Sequence, residues 1–267
     1  MRTVNGSRRD SRRPRIFACM VAGVTLLGGA LSAGAAPGDP TCLAKKLKEW
    51  GKLRKCEAVQ NGKALRGQSS DPAKCRAKLE EKLATITAQA TAAGTPCRFG
   101  VVGDGTLIDY DTGLQWEQKT DDGGLHDTDN EWEWSWGFYL PDYTAADGDL
   151  FTYFLASLND CDSGDGATAH GGLGGHCDWR IPTLEEVLGA TDPTVPGCGT
   201  LAGVCIDVDV FGPEHFAPNS PMYWTSTALL PSVDHPNYSW GVDLRTPNPY
   251  LAPRNLGSHA RGVRSAL

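Results

Sequence analysis

The chain has 267 residues and a formal net charge of −7, with 40% hydrophobic and 21% charged residues. Enough apolar side chains are present for one large core or two smaller ones, which excludes wholesale disorder. The 32 glycines and 17 prolines indicate long loops and exclude a mainly helical protein.

The charge is divided unevenly among three segments. Residues 1–36 contain six Arg and one Asp, and residues 37–97 contain twelve Lys or Arg and six Asp or Glu. Residues 98–267 contain seven Lys or Arg against 25 Asp or Glu. Because such an excess of carboxylates repels polyanions, the sequence predicts no nucleic-acid partner.

The first segment has the pattern of an export signal. Arginines between Arg8 and Arg15 precede an apolar run from Ile16 to Leu31, and small residues follow up to Ala36. The run is shorter than the roughly 20 residues that a membrane-spanning helix needs. We therefore predict a signal peptide over residues 1–36, no membrane span after its cleavage, and a secreted, periplasmic or cell-surface protein. Retention of the segment as an anchor is the alternative.

The cysteines agree with export. Eight of the nine follow the predicted signal, and an even number in an exported chain indicates disulfides. Zinc is the competing interpretation, but the chain contains no Cys-x-x-Cys pair. We expect the bridges Cys42–Cys97, Cys56–Cys75, Cys161–Cys177 and Cys198–Cys205.

Residues 37–97 predict an antiparallel helical hairpin clamped by the first two bridges. Apolar residues recur at helical spacing in both halves, namely Leu43, Leu47, Trp50 and Leu53, then Leu79, Leu83, Ile86, Ala90 and Ala93. Residues 61–72 supply turn chemistry between the helices. The hairpin is expected to act as a spacer or docking element; contact of its Lys-rich faces with an acidic surface or polymer is the alternative.

Residues 98–267 predict an α+β domain. A strand hairpin surrounds Gly103-Asp104-Gly105, helices are expected over residues 150–160 and after Thr183, and alternating segments near the end resemble strands. Thr183 and Glu186 have the spacing of a capping box.

Five motifs of this segment occur in a distinctive order. They are Gly103-Asp104-Gly105-Thr106, Asp111-x-Gly113-Leu114-x-Trp116, Asp178-Trp179-Arg180-Ile181-Pro182-Thr183, Tyr223-Trp224-Thr225-Ser226-Thr227 and Val263-Arg264. The succession resembles the Lcl C-terminal domain family, named for the C-terminus of the Legionella collagen-like adhesin, over about residues 98–267. The resemblance implies a C-type-lectin-like fold, with two helices, small antiparallel sheets and long loops.

The same resemblance implies an extracellular binding module. The namesake binds sulfated glycosaminoglycans as a trimer, but the acidic charge of this domain argues against a polyanionic ligand. We expect a non-catalytic recognition or adhesion module for an extracellular glycan or protein, with homo-oligomerisation left open.

Six positions are interpreted as signatures of the fold. Trp116, Trp179 and Trp224 are expected in the core. Arg180 is expected to pair with an internal carboxylate or to bond loop carbonyls. Pro182 is expected in the first turn of its helix, and Arg264 closes the motif series.

Alternating indoles mark the first place to look for ligand contact. Trp132, Trp134 and Trp136 would share one face of a strand. Packing over the domain is the ordinary interpretation, and an exposed ladder that stacks on sugar rings, extended by Tyr139 and Tyr143, is the functional one.

Two acidic groups are weighed as calcium sites, although no cofactor is required. The first comprises Asp121, Asp122, Asp127, Asp129 and Glu131, and the second comprises Asp207, Asp209 and Glu214. Solvated acidic loops are the competing interpretation, because Trp132 stands where an EF-hand loop has its glycine.

The sequence motifs give little support for an enzymatic function. The six His are scattered, and no His-Glu-x-x-His or Gly-x-Ser-x-Gly motif occurs. An enzyme of the formylglycine-generating type, which shares the lectin-like fold and uses reactive cysteines, is the alternative function; paired cysteines would remove its nucleophile.

Overall fold

The computed structural model describes residues 38–95, 97–135, 146–161, 172–200, 203–214, 222–228 and 238–266. The predicted signal peptide over residues 1–36 lies outside this part of the chain. Among the described residues, no helix is both long enough and apolar enough to cross a membrane.

Two long helices form the predicted hairpin, α1 (Pro40–Leu65) and α2 (Pro72–Ala92). Each begins with a proline after an aspartate whose carboxylate accepts a backbone N–H of the first turn, which satisfies an amide that has no partner within the helix. A small core joins the helices, consisting of Trp50, Leu53, Cys75, Leu79 and Leu83.

Two details of the hairpin differ from the expectation. Leu47 is 47% exposed, because it lies about a quarter turn around α1 from the face that buries Lys46, Trp50 and Leu53. Helix α2 ends at Ala92, before Cys97, and Gly94 follows the helix with a φ of +66°. The spacing between Cys75 and Cys97 is therefore only partly helical.

Four disulfides join the cysteine pairs expected from the sequence. The Cα atoms are 5.7 Å apart in Cys42–Cys97, 5.8 Å in Cys56–Cys75, 6.0 Å in Cys161–Cys177 and 4.5 Å in Cys198–Cys205. All eight cysteines after the predicted signal are therefore bonded in pairs.

The rest of the described chain combines small antiparallel sheets with short helices, which confirms an α+β architecture. One sheet has the strand order β1 (Phe99–Val101), β2 (Thr106–Asp109), β3 (Leu114–Glu117) and β9 (Val263–Ser265). A second sheet has the order β5 (Met222–Ala228), β6 (Tyr238–Asp243) and β7 (Asn248–Pro253), and β4 (Trp132–Glu133) pairs with β8 (Gly257–Ser258).

Helical segments lie between these strands in the sequence. A π-helical stretch, Leu150–Leu155, continues into α3 (Ala156–Leu158), and a short 3-10 turn covers Leu173–Gly175. Helices α4 (Leu184–Ala190) and α5 (Val208–Phe211) follow. The capping box of Thr183 and Glu186 forms as predicted at the start of α4.

The signature residues mostly occupy the expected positions. Trp116, Trp179 and Trp224 are buried, and the guanidinium of Arg180 forms two hydrogen bonds of 2.7 and 2.6 Å with the Glu186 carboxylate. Pro182 is the exception, because it precedes the N-cap Thr183 and so lies outside the first helical turn.

Candidate functional site

A cavity of about 380 Å³ lies beside the β1–β2 turn and helix α3. Four separate parts of the described chain line it: Asp104 of the turn, Leu125 and His126, then Ser157, Leu158 and Asp160 at and just after the end of α3, and residues 172–174. This volume is at the lower end of the range for small-ligand sites, which is about 300–1,000 Å³. The walls combine leucine side chains with two carboxylates, one imidazole and one hydroxyl.

Glycines shape one side of the cavity. Gly172 has a φ of +71°, and a Cβ there would lie 2.0 Å from the backbone oxygen of His176, so no other residue fits without a backbone shift. Gly174 has a φ of +59°, and its Cβ would lie 3.0 Å from Oδ2 of Asp104. The absence of a side chain at Gly174 therefore keeps space beside that carboxylate.

A chain of hydrogen bonds holds Asp104 in place. Oδ1 of Asp104 accepts from the backbone N–H of Thr106 at 3.1 Å and from its hydroxyl at 2.5 Å. The Thr106 hydroxyl in turn accepts from Nε2 of Gln115 at 2.7 Å, and Oε1 of Gln115 accepts from Arg264 at 2.6 Å. The first and last sequence motifs are thus connected, because Arg264 supports the cavity carboxylate through Gln115 and Thr106.

The ring of His126 is positioned by the carboxylate of Glu117, which is fully buried. Nδ1 of His126 lies 2.8 Å from Oε1 of Glu117, which also accepts from the Lys119 ammonium at 3.0 Å. The other carboxylate oxygen of Glu117 accepts the backbone N–H of Gly262 at 2.8 Å. The His126 side chain remains 31% exposed, so its ring connects the buried pair to the cavity.

The charge state of Glu117 follows from these contacts. Burial by itself raises the pKa of Glu117, but the ammonium of Lys119 and the hydrogen bond from His126 outweigh it and lower this pKa to about 2. An ionised carboxylate only accepts hydrogen bonds, so Nδ1 of His126 carries the proton. In the neutral imidazole, Nε2 is consequently an acceptor.

A second buried ion pair lies next to the first. Arg261 forms a salt bridge with Glu214, and its guanidinium also donates to the backbone oxygens of Glu117 and Phe211 at 2.5 and 2.9 Å. The Tyr223 hydroxyl donates to Glu214 at 2.5 Å. Burial, and then the negative charge of Glu214, raise the pKa of Tyr223 well above its usual value. These groups are partners of one another inside the core, except that the buried Nε of Arg261 makes no hydrogen bond among the described residues.

Two of the alternating indoles, Trp132 and Trp134, are packed inside the domain. Trp132 and Trp134 are each only 7% exposed and pack against residues of the π-helical stretch, with ring centroids 5.2 Å apart for Trp132 and Phe154 and 4.8 Å apart for Trp134 and Phe151. The packing interpretation therefore holds for these two rings. Trp136, Tyr139 and Tyr143 lie outside the described residues, and their role stays a prediction.

The first acidic group is organised by backbone amides. Oδ2 of Asp127 accepts from the N–H groups of Asp122 and Gly123 at 2.8 and 2.6 Å, and Oδ1 accepts from Asp129 at 2.8 Å. Asp121 and Glu131 are exposed. Within the described ranges, no three His, Cys, Asp or Glu side chains are grouped so that they could hold a metal ion.

The second acidic group is divided between two tasks. The carboxylate of Asp207 caps α5 by accepting from the backbone N–H of Asp209, and burial raises the pKa of Asp207. Glu214 instead serves as the counter-charge of Arg261. Calcium binding by either group stays a prediction.

The sequence alone does not predict the cavity or the buried pair of Glu117 and Lys119 next to it. The sequence predicts a turn at Gly103-Asp104-Gly105, but its motifs do not identify Asp104, His126 or Asp160 as site residues. One signal is present in the sequence, because Glu117 and Lys119 carry opposite charges two residues apart and closely follow the apolar Trp116. Opposite charges at positions that point into a core indicate an internal ion pair.

Comparison with known proteins gives one match. A family model described as the Lcl C-terminal domain matches residues 105–264, which is more than half of the chain. The matched range includes all the described strands from β2 to β9, apart from the last residue of β9. No curated protein and no solved structure matches the chain.

Proposed function

Because the chain belongs to the Lcl C-terminal domain family, an adhesin-associated family, we propose that it is a non-catalytic recognition or adhesion module that binds an extracellular glycan or protein. The observation that carries the proposal is the cavity beside His126. Two carboxylates, an imidazole and a hydroxyl converge there on apolar walls, which is the composition of a small-ligand site.

The proposal also places the protein outside the cytoplasm and assigns a role to each of three segments of the chain. Residues 1–36 act as the export signal, residues 37–97 form the clamped hairpin that presents the module, and residues 98–267 form the module itself, with a C-type-lectin-like fold. Four disulfides support export, since such bridges persist in oxidising compartments. Amino-terminal sequencing of the exported protein tests the cleavage of the signal.

An array of extracellular glycans and matrix proteins tests the binding function. The exported chain with intact disulfides is applied with and without a chelator, which also tests whether calcium is needed. The Asp160→Phe variant places a bulky ring at the edge of the cavity and is expected to reduce the array signal at least tenfold. Asp121→Phe is the matched control, because Asp121 is exposed in the same domain but does not line the cavity.

The result is interpreted together with the melting temperature of each variant. Loss of signal in Asp160→Phe at an unchanged melting temperature supports the cavity as the ligand site. An equal signal in both variants would refute that assignment, and no bound probe for the unmodified chain would refute the binding function. Size-exclusion chromatography with light scattering reports whether the module forms a homo-oligomer.

The alternative is an enzyme of the formylglycine-generating type, which needs reactive cysteines. Pairing of all eight cysteines after the signal argues against it. Thiol titration of the denatured exported protein distinguishes the two functions. Zero free thiols favour the binding module, and two or more favour the enzyme.

A further inference from the structure

We propose that the cavity beside His126 receives a primary ammonium group on an aliphatic stem, namely a lysine side chain of a partner protein. This inference rests on the proposed function, because it assigns the ligand class of the same site. It is argued from the charge of the cavity, from its hydrogen-bond acceptors and from its walls.

The first argument is charge. The described lining includes the carboxylates of Asp104 and Asp160 and contains no Lys or Arg. The Asp160 side chain is exposed and accepts no hydrogen bond within the described part of the chain. Glu117 lies deeper and already has Lys119 as its counter-charge. The carboxylates of Asp104 and Asp160 can therefore attract a cationic group of a ligand, and they would repel an anionic ligand.

The second argument is the kind of polar atom that faces the cavity. The contact with Glu117 uses Nδ1 of His126, so Nε2 is the ring nitrogen left for a ligand, and it accepts a hydrogen bond when the ring carries a single proton. Oδ1 of Asp104 is used by Thr106, while Oδ2 lies toward the space beside Gly174. An ammonium group has three N–H donors and no acceptor, so it matches a site rich in acceptors.

The third argument is the apolar surface. Leu125, Leu158 and Leu173 contribute walls that can cover the methylene groups of a lysine. An amino sugar also carries an ammonium group, but the ring hydroxyls that lie against these leucines would lose water there, whereas the methylene groups of lysine have no water-bound polar atoms to lose. The volume of about 380 Å³ accommodates one side chain or one small ring, so the walls and not the size favour lysine.

The experiment titrates the exported chain with three small probes and follows binding by calorimetry. The probes are Nα-acetyl-lysine methylamide, the norleucine analogue that lacks only the charged amine, and glucosamine. We expect the Kd for the lysine probe to be at least about tenfold lower than for norleucine, and to rise when NaCl is added, since salt screens ion pairs. Glucosamine is expected to bind more weakly than lysine.

Variants connect the binding to the named carboxylates. Asp104→Asn and Asp160→Asn are each expected to raise the Kd for the lysine probe about threefold, as for partly exposed ion pairs, and about tenfold together. Asp121→Asn is the matched control and leaves the Kd unchanged. The D104N change retains an oxygen acceptor for Thr106, and the melting temperature of each variant confirms that the fold persists.

Several outcomes overturn the inference. Equal affinity for lysine and norleucine would show that charge is not recognised, and tighter binding of glucosamine would assign the site to an amino sugar. Kd values that are the same in D104N, D160N and D121N would place the amine elsewhere. If the lysine probe fails while Asp160→Phe abolishes the array signal, the ligand class is wrong and the proposed function stands.

Discussion

The helical hairpin and the Lcl C-terminal domain are held together in different ways. The hairpin has a core of a few side chains around Trp50 and Leu79, closed by two disulfides. The domain has two larger apolar clusters, around Trp116 and Trp224, and also encloses charged pairs such as Glu117 with Lys119. Covalent cross-links compensate for a small core in the first region, and buried charges are tolerated in the second because each has a partner.

The two regions also contact each other directly. Lys46 of α1 is fully buried and forms a salt bridge with Asp111 of the β2–β3 turn. Nε1 of Trp50 donates to the backbone oxygen of Tyr110 at 2.9 Å, and a Cβ on Gly113 would lie 2.5 Å from the Trp50 ring. Glycine at position 113, with a φ of +74°, is therefore required both by the turn and by the approach of the hairpin.

The largest effect is expected from the buried pair of the domain. Glu117→Gln leaves the buried Lys119 ammonium without its counter-charge and should lower the free energy of unfolding by about 3–5 kcal/mol, measured by urea denaturation. The E117Q/K119M double variant removes both charges and should recover most of that loss. A double variant as unstable as the single one would show that charge pairing is not what the core requires.

The hairpin should instead depend on its cross-links. Replacing Cys56 and Cys75 with serine opens a loop with a sequence separation of 19 and should destabilise the hairpin by about 3 kcal/mol, because the unfolded chain gains freedom. Amide hydrogen exchange is expected to accelerate over residues 40–92. Protection of the strands over residues 99–117 serves as the internal control, and equal acceleration there would mean that the two regions unfold as one unit.

Acid should affect the domain before the hairpin. Glu117 has a pKa lowered from 4.5 to about 2, so its ionised form contributes stability that is complete above pH 4.5 and is lost as the pH falls toward 2. The free energy of unfolding should decrease by about 2 kcal/mol between pH 5 and pH 3 from this group. The E117Q/K119M variant lacks the group, so an identical acid profile in that variant would refute the assignment.

The smallest effect is expected where the regions meet. Asp111→Asn retains a hydrogen-bond acceptor for Lys46 but removes the negative charge, and the carboxylate is only partly buried. We expect a loss of about 1 kcal/mol in the free energy of unfolding. Glu49→Gln, which affects the more exposed pair with Lys52, is the control and should change stability by less. Equal losses would indicate that burial of Lys46 does not matter.

Local rules of the sequence determined several features of this protein. Helical periodicity with capping residues predicted α1, α2 and the start of α4. Short sequence separations of 16 and 7 residues predicted the bridges Cys161–Cys177 and Cys198–Cys205, and the antiparallel hairpin predicted Cys42–Cys97 and Cys56–Cys75. Apart from Cys42–Cys97, whose cysteines are 55 residues apart, these features depend on neighbours along the chain, where backbone geometry leaves few choices. The ordered motifs likewise indicate the family without any tertiary geometry.

Tertiary structure decided the site and the orientation of the alternating segments. The cavity joins Asp104, His126, Asp160 and residues 172–174, which are far apart in sequence, and no local pattern encodes which loops meet. Alternation put Trp132 and Trp134 on one face, but only the packing of the π-helical stretch decided that this face is internal. A side-chain pattern has the same period whether its apolar face contacts a core or a ligand, so burial depends on what the rest of the chain brings against it.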